Sequence, residues 1–146
     1  MQIRSFAPAD EDALILLWER CNLVRAWNDP HLDIARKCQH QPELLLVGLV
    51  DGKIVGSVMV GYEGHRGWIN YLAVCPSHRE QGFGRDLMAE AERCLSELGC
   101  PKVNLQVRGD NTAAVEFYQR IGYEIDDAVG LGKRLVLDHG PAPRSN

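Results

Sequence analysis

A short turn that contains two glycines carries the most chemically suggestive residues of this 146-residue chain. The turn spans Arg79–Gly84 (REQGFG) and lies between an apolar run, Tyr71–Val74, and an amphipathic stretch that begins at once. A helix that starts here would present unpaired N–H groups and the positive end of its dipole. Glycine and phenylalanine stand where Ser, Thr or Asp would cap the helix. The pattern predicts that a ligand anion, a pyrophosphate, caps it instead, with Arg79 and Arg85 pairing with the phosphate oxygens.

Apolar periodicity predicts the elements that position this turn. The predicted strands are Ile3–Phe6, Leu44–Val50, Ile54–Val60, Trp68–Val74, Val103–Val107, Tyr123–Asp126 and Lys133–Leu137. The predicted helices start near Asp10, His31, Phe83 and Asn111, and Asp51-Gly52 predicts a tight hairpin turn. The order β-α-α-β-β-β-α-β-α-β-β describes one α/β domain over residues 1–137 with a mixed central sheet of six to seven strands. Residues 138–146 lack periodicity and are expected to form a flexible tail.

The balance of charge argues against a nucleic-acid partner. The chain has 16 Lys and Arg residues against 20 Asp and Glu residues, a formal net charge of −4. Nucleic-acid binders usually carry a basic excess or stripe instead. The first residues lack the apolar core of a signal peptide, and no window approaches about 18 uninterrupted apolar residues. We therefore expect a cytoplasmic protein without a membrane partner.

The cysteines and histidines predict no metal site. The chain has five of each, but they are scattered and form no CxxC pair. In a reducing compartment such cysteines are expected to be small, partly buried apolar residues.

Two signatures on the expected elements resemble those of one enzyme family. The first is an Arg/Gln-x-x-Gly-x-Gly/Ala turn after the fourth strand, and the second is an Asn followed by Ala, Phe-Tyr and Gly-Tyr. The matching residues are Arg79, Gly82 and Gly84, then Asn111, Ala114, Phe117-Tyr118 and Gly122-Tyr123. Together they resemble the GCN5-related N-acetyltransferase (GNAT) superfamily over about residues 2–137. A closer likeness is to YpeA-like bacterial acetyltransferases, carried by Leu17–Cys21, Trp27–Pro30, Gly64–Gly67 and Gly132–Leu135.

The resemblance implies acetyl-CoA as co-substrate and no metal. In relatives the pantetheine arm lies along the fourth strand, which is splayed from the fifth, and the pyrophosphate lies on the amides of the glycine turn. The residues that the resemblance assigns to the cofactor are Leu72, Ala73, Val74, Arg79, Gln81, Gly82, Phe83, Gly84, Arg85, Asn111 and Tyr118. Proline after Cys75 fits, because it has no N–H to continue the ladder.

The resemblance also implies N-acetyl transfer by direct attack of an amine in a ternary complex. Tyr118 would give a hydrogen bond or proton to the departing thiolate, since a phenol stays protonated at neutral pH. The general base stays open. Relatives carry a Glu where this chain has Gln106 or Trp68, which leaves Glu63 and His65, with Tyr71 or a water chain as further options.

The absence of a strong base favours an acceptor amine of low pKa, such as an α-amine or a small-molecule amine, over an internal lysine. Trp27 and Asn28 lie between the first two helices, a region that borders the acceptor groove in relatives, and are candidates for acceptor binding. The alternative is a non-catalytic acyl-CoA-binding or sensing module on the same fold. The sequence leaves open whether the chain forms a homodimer.

Overall fold

A computed structural model describes residues 1–139 of the chain. Its strands are Gln2–Ser5 (β1), Leu45–Val50 (β2), Lys53–Tyr62 (β3), Gly67–Val74 (β4) and Val103–Leu105 (β5). Its helices are Glu11–Arg20 (α1), Pro30–Lys37 (α2), Phe83–Glu97 (α3) and Thr112–Arg120 (α4).

The five strands form one mixed sheet in the order β1-β2-β3-β4-β5. The first three pairings are antiparallel and only β4 and β5 run parallel, joined by a crossover through α3. The predicted hairpin joins β2 to β3: Asp51 and Gly52 both have positive φ, 51° and 75°, as a type I′ turn requires. The predicted mixed α/β architecture is confirmed.

The predicted number of six to seven strands is wrong for the described residues, which form five. The segments expected as strands near Tyr123–Asp126 and Lys133–Leu137 follow α4 without pairing. β5 is only three residues long and offers little edge for pairing. Glycines at 130 and 132 directly precede the second segment, and glycine loses more conformational entropy on ordering than other residues.

Helices cover both faces of the sheet, and two clusters of buried apolar side chains fill the spaces between. α1 contributes Leu14, Leu17 and Trp18 to the cluster on one face. α3 contributes Leu87 and Leu95 to the other, with side chains of α4 packed against it. This packing of α3 holds its first turn beside the end of β4, with Gly84 close to Val74.

No helix within residues 1–139 combines the length and the apolar character needed to cross a bilayer. Part of the expected tail, residues 140–146, lies outside the described residues.

Candidate active site

The turn before α3 leaves a run of backbone amides without protein partners. Gly82 is the N-cap residue of α3, its φ is 81°, and no side chain caps the helix. The first helical hydrogen bond runs from Asp86 N to Gly82 O at 3.0 Å. Within the described part of the chain, the N–H groups of residues 81–85 donate to no protein acceptor. These donors, at the positive end of a 15-residue helix, form a site suited to an anion.

The two glycines of this turn serve different purposes. A Cβ on Gly82 would meet no protein atom within 4 Å, so the space before it is open. A Cβ on Gly84 would lie 3.2 Å from Phe117 Cζ and 3.8 Å from Val74 Cγ2. Gly84 thus allows α3 to pack closely against α4 and the end of β4, whereas Gly82 supplies the left-handed backbone and leaves room for a ligand.

A splayed edge lies beside the turn, as expected. β5 pairs with β4 only at Gly67, Trp68 and Ile69. From Asn70 to Val74, β4 pairs with β3 alone, and its other edge has no partner strand among residues 1–139. An extended ligand can hydrogen-bond to such an edge as an added strand would.

A bulge interrupts β4 in the middle of this free edge. The register with β3 shifts between Ser57 and Met59, and Tyr71 there has a φ of 52°. A positive φ is costly for a bulky residue and persists only where its surroundings enforce it. Bulges re-aim backbone groups and are common beside active sites.

Contacts from three elements hold Tyr71 in this conformation. Its ring stacks on Trp18 of α1, with centroids 3.8 Å apart. Ser57 Oγ on β3 donates to Tyr71 O at 2.8 Å and accepts from Trp18 Nε1 at 2.9 Å. The Tyr71 hydroxyl donates to Asp33 Oδ2 on α2 at 2.5 Å. Burial and the nearby Asp33 carboxylate raise the pKa of Tyr71, which makes it a poor general base at neutral pH. From the sequence, Tyr71 was only a further option for the base, and no local pattern indicated its contact with Asp33.

Tyr118 lies on α4, with its ring edge-on to Phe117 at 5.1 Å and to Tyr123 at 5.8 Å. Burial raises the pKa of Tyr118 to about 12. Its hydroxyl has no hydrogen-bond partner within residues 1–139. Because no fully buried polar side-chain atom of these residues lacks a partner, this hydroxyl oxygen must be accessible from outside the protein. Tyr118 lines a cavity of about 1000 Å³ between β5, α4 and the segment that follows α4.

Two polar residues assigned to the cofactor already make contacts within the protein. Asn111 caps α4, since its Oδ1 accepts from Ala114 N at 3.1 Å. Arg79 Nε donates to Val74 O at 3.3 Å, so Arg79 ties the turn to the end of β4. The Arg85 side chain, in contrast, makes no ion pair within residues 1–139.

The two candidate bases lie at the other end of β4. Glu63 and His65 belong to the loop before Gly67. Tyr71 lies four positions beyond Gly67 along the strand, or about 13 Å at 3.3 Å per residue. Glu63 Oε1 accepts from His65 N at 2.6 Å and from Arg66 N. Hydrogen bonds from these amides lower the pKa of the exposed Glu63 carboxyl, so it is a weak base committed to its own loop.

Trp27 and Asn28 lie between α1 and α2, as predicted, and each contacts an arginine. The Arg108 guanidinium lies over the Trp27 ring, 5.9 Å from its centroid. Asn28 Oδ1 accepts a hydrogen bond from Arg134. Trp27 is still 39% exposed, so its ring remains accessible to a ligand.

A clasp that the sequence did not reveal holds the segment after α4 against α2. Asp138, the first residue of the expected tail, accepts from Arg36 Nη2 at 2.8 Å and from Asp29 N at 2.9 Å. The hydrogen bond from Arg36, followed by that from Asp29 N, lowers the pKa of Asp138 to about 2. Because 102 residues separate Arg36 from Asp138, local patterns could not indicate this contact.

Within residues 1–139, no group of three or more His, Cys, Asp or Glu side chains is arranged to hold a metal ion.

Comparison with known proteins agrees with this geometry. The sequence matches the acetyltransferase (GNAT) family over residues 12–123. A Yersinia pestis (strain Pestoides F) protein named acetyltransferase is 51% identical over 138 residues, which cover 94% of this chain and 98% of that protein.

Solved structures share the fold. Ard1 from Thermoplasma volcanium matches with a TM-score of 0.77 and 27% identity, covering 86% of this chain and 83% of that one. AAC(6')-Iy in complex with the bisubstrate analogue CoA-S-monomethyl-acetylneamine matches with a TM-score of 0.75 and 20% identity, covering 92% of this chain and 98% of that one. At 20% identity the second likeness concerns the fold alone.

Proposed function

Because the chain belongs to the acetyltransferase (GNAT) family, we propose that it transfers an acetyl group from acetyl-CoA directly to a primary amine bound in the same complex. Acetyl-CoA-dependent acetyl transfer is general to this family. The observation that carries the proposal is the pairing of an uncapped α3 with the unpaired edge of β4, from Asn70 to Val74.

The residues around this edge fit acetyl-CoA. We propose that the diphosphate binds the free amides of residues 81–85, with Arg85 as an added cation and Phe83 beside it. The pantetheine arm would hydrogen-bond along Leu72–Val74 as an added strand. Asn111 would contact the pantetheine arm through its side-chain NH2 group. Only its Oδ1 is used to cap α4, so the NH2 group can still donate.

Tyr118 supplies a hydrogen bond to the departing thiolate in this proposal. With a pKa of about 12 for Tyr118 and about 8.5 for a thiol, complete proton transfer would be uphill by several kcal/mol, roughly 5. A directed hydrogen bond from the intact phenol is therefore favoured over complete transfer. A β4 amide beside the bulge, such as that of Val74, would donate to the carbonyl oxygen as it gains negative charge.

Without a strong base nearby, the acceptor needs an amine that is easily deprotonated at neutral pH. Glu63 is committed to its loop and has a lowered pKa, and the pKa of Tyr71 is raised. His65 stays a candidate, in the loop that joins β4 about 13 Å from the bulge. Deprotonating a lysine-like amine at pH 7 costs about 4.6 kcal/mol, whereas an α-amine near pKa 7.8 costs about 1.1 kcal/mol. We propose an α-amine or a small-molecule amine as the acceptor.

Trp27 and Asn28 would border the acceptor. The exposed part of the Trp27 ring can stack on a substrate. Arg108 and Arg134 hold these two residues in place in the absence of substrate. A polar acceptor that stacks on Trp27 would have to share the ring with Arg108.

A panel of amines with acetyl-CoA, followed by mass spectrometry at pH 7, tests the proposal. We expect acetylation of α-amines or small amines at rates that exceed those on lysine side chains. Faster reaction on lysine would contradict the acceptor class. Tight acetyl-CoA binding without product on any amine would instead favour an acyl-CoA-binding module.

A further inference from the structure

Two of the five cysteines meet where β4 ends. Cys75 follows Val74 directly, and Cys21 is the C-cap residue that follows α1. Cys21 Sγ donates to Val74 O at 3.4 Å. Because a carbonyl oxygen lies about 2.8 Å from the next Cα, Cys21 Sγ lies within about 6 Å of Cys75 Cα. Both side chains also pack against the same buried cluster as Trp18, so the two cysteines are close neighbours in the fold.

The contacts of Cys75 favour a reactive thiolate. Its Sγ lies 3.3 Å from Ser77 Oγ, which in turn lies 2.9 Å from His78 Nδ1. With the His78 proton on Nδ1, the three groups form a relay in which the Ser77 hydroxyl donates to the sulfur. The hydrogen bond from the Ser77 side chain, together with its backbone N–H, lowers the pKa of Cys75 to about 7. Cys75 is therefore ionised more readily at neutral pH than an ordinary cysteine.

Cys21, in contrast, is expected to be the less reactive thiol. It is about half-buried, and burial raises the pKa of its thiol. Cys75 is thus the thiol that attacks first, and Cys21 is the neighbour that can resolve a mixed disulfide.

The pair is joined to the proposed cofactor site through Arg79. Arg79 Nη2 lies 3.9 Å from Cys21 Sγ, while its Nε donates to Val74 O. A chemical change at Cys21 therefore acts on the residue that opens the glycine turn.

We propose that Cys75 and Cys21 form a thiol pair that is oxidised by a low-molecular-weight disulfide. The Cys75 thiolate attacks one sulfur of that disulfide, forms a mixed disulfide and releases one thiolate. The Cys21 thiolate then attacks the Cys75 sulfur and releases the second. Two protein thiols are oxidised to one disulfide, and the small disulfide is reduced to two thiols, which take up the two protons that the protein thiols lose.

Oxidation would weaken cofactor binding, a consequence that rests on the proposed function. The disulfide would remove the Cys21 contact with Arg79 and draw the end of α1 toward the end of β4. Arg79 would lose one of its two protein partners beside the anion site.

Oxidised glutathione is a suitable probe for the full-length chain. After incubation and peptide mapping, we expect the wild type to lose two hydrogens in mass and to show a Cys21–Cys75 link. Cys21→Ser should accumulate one glutathione at Cys75, and Cys75→Ser should form neither product. Cys38→Ser is the matched control, because Cys38 is an exposed free cysteine that lies outside the pair. Modification of Cys38 ahead of Cys75, with no Cys21–Cys75 link, would overturn the proposal.

The affinity for CoA separates this inference from the proposed function. We expect the Kd of the oxidised protein for CoA to rise at least about threefold and to return after reduction. An unchanged Kd in the linked protein would refute the effect on the cofactor site. Failure of the reduced protein to bind CoA would refute the proposed function but not the thiol exchange.

Discussion

The Tyr71 hydroxyl donates a 2.5 Å hydrogen bond to Asp33, so α2 holds the side chain of the bulged residue of β4. The backbone of Tyr71 is left-handed, and Trp18 and Ser57 restrain its ring and its carbonyl. The helices beside the proposed acceptor groove thereby fix the strand along which the cofactor is proposed to bind.

Removing the hydrogen bond between Tyr71 and Asp33 should lower both the stability of the fold and the turnover. Tyr71→Phe and Asp33→Asn should each cost about 1.5 kcal/mol, the lower end for a hydrogen bond to a charged group, because the pair is only partly buried. The fall in kcat should be larger than the change in KM for acetyl-CoA, because the bulge of β4 loses the hydrogen bond that restrains Tyr71. Urea unfolding of the single and double variants measures the coupling, and strictly additive losses would contradict it.

Tyr118→Phe should lower kcat by about 10²–10⁴ and leave the KM for acetyl-CoA nearly unchanged. Tyr123→Phe is the matched control, because this ring packs against Tyr118 but its hydroxyl bonds Glu92 at 2.8 Å. With a pKa of about 12, Tyr118 stays protonated from pH 6 to 9. Its ionisation should therefore cause no change of kcat with pH in this range. Equal kcat values for the two variants would remove Tyr118 from the mechanism.

Gly82→Ala should raise the Kd for CoA at least tenfold, about 1.4 kcal/mol. Its Cβ would meet no protein atom, so the added methyl group would occupy the space proposed for the diphosphate. Gly99→Ala is the control at the other end of α3, because its φ is also 81° and its Cβ would also be free. Both variants should lose about 1–2 kcal/mol of stability to backbone strain. Isothermal titration calorimetry measures the Kd for CoA. If both variants kept the wild-type Kd, the diphosphate would have to bind elsewhere.

Asp138→Asn should lower the melting temperature at pH 7 but have little effect in acid. The pKa of Asp138 is about 2 in the folded chain, below the value near 3.9 of an unfolded Asp. A lowered folded pKa contributes stability above pH 4, and this contribution is lost as pH falls toward 2. The difference from wild type should therefore shrink below pH 4. A difference that stays constant down to pH 3, or an equal effect of Asp127→Asn, would show that the clasp does not stabilise the fold.

Local patterns predicted the parts of the fold that depend on neighbouring residues. The uncapped start of α3 and the Asp51-Gly52 hairpin follow from residue types next to one another, so they could be foreseen. The clasp of Asp138 and the bond from Tyr71 to Asp33 join residues 102 and 38 positions apart, and no period in the sequence encodes them.

The two strands expected after α4 were predicted wrongly. Alternating apolar residues predicted strands after α4, but alternation does not show whether a partner edge exists. β5 ends at Leu105, and Leu131 and Leu135 are about nine-tenths exposed in the described structure.

The most direct test of the central claim is an amide NMR titration of the 16.3 kDa chain with CoA. The largest shifts should fall on the N–H groups of residues 81–85, with a second set along Leu72–Val74. Shifts confined to the cavity that Tyr118 lines, with residues 81–85 unchanged, would contradict the claim that these amides bind the diphosphate.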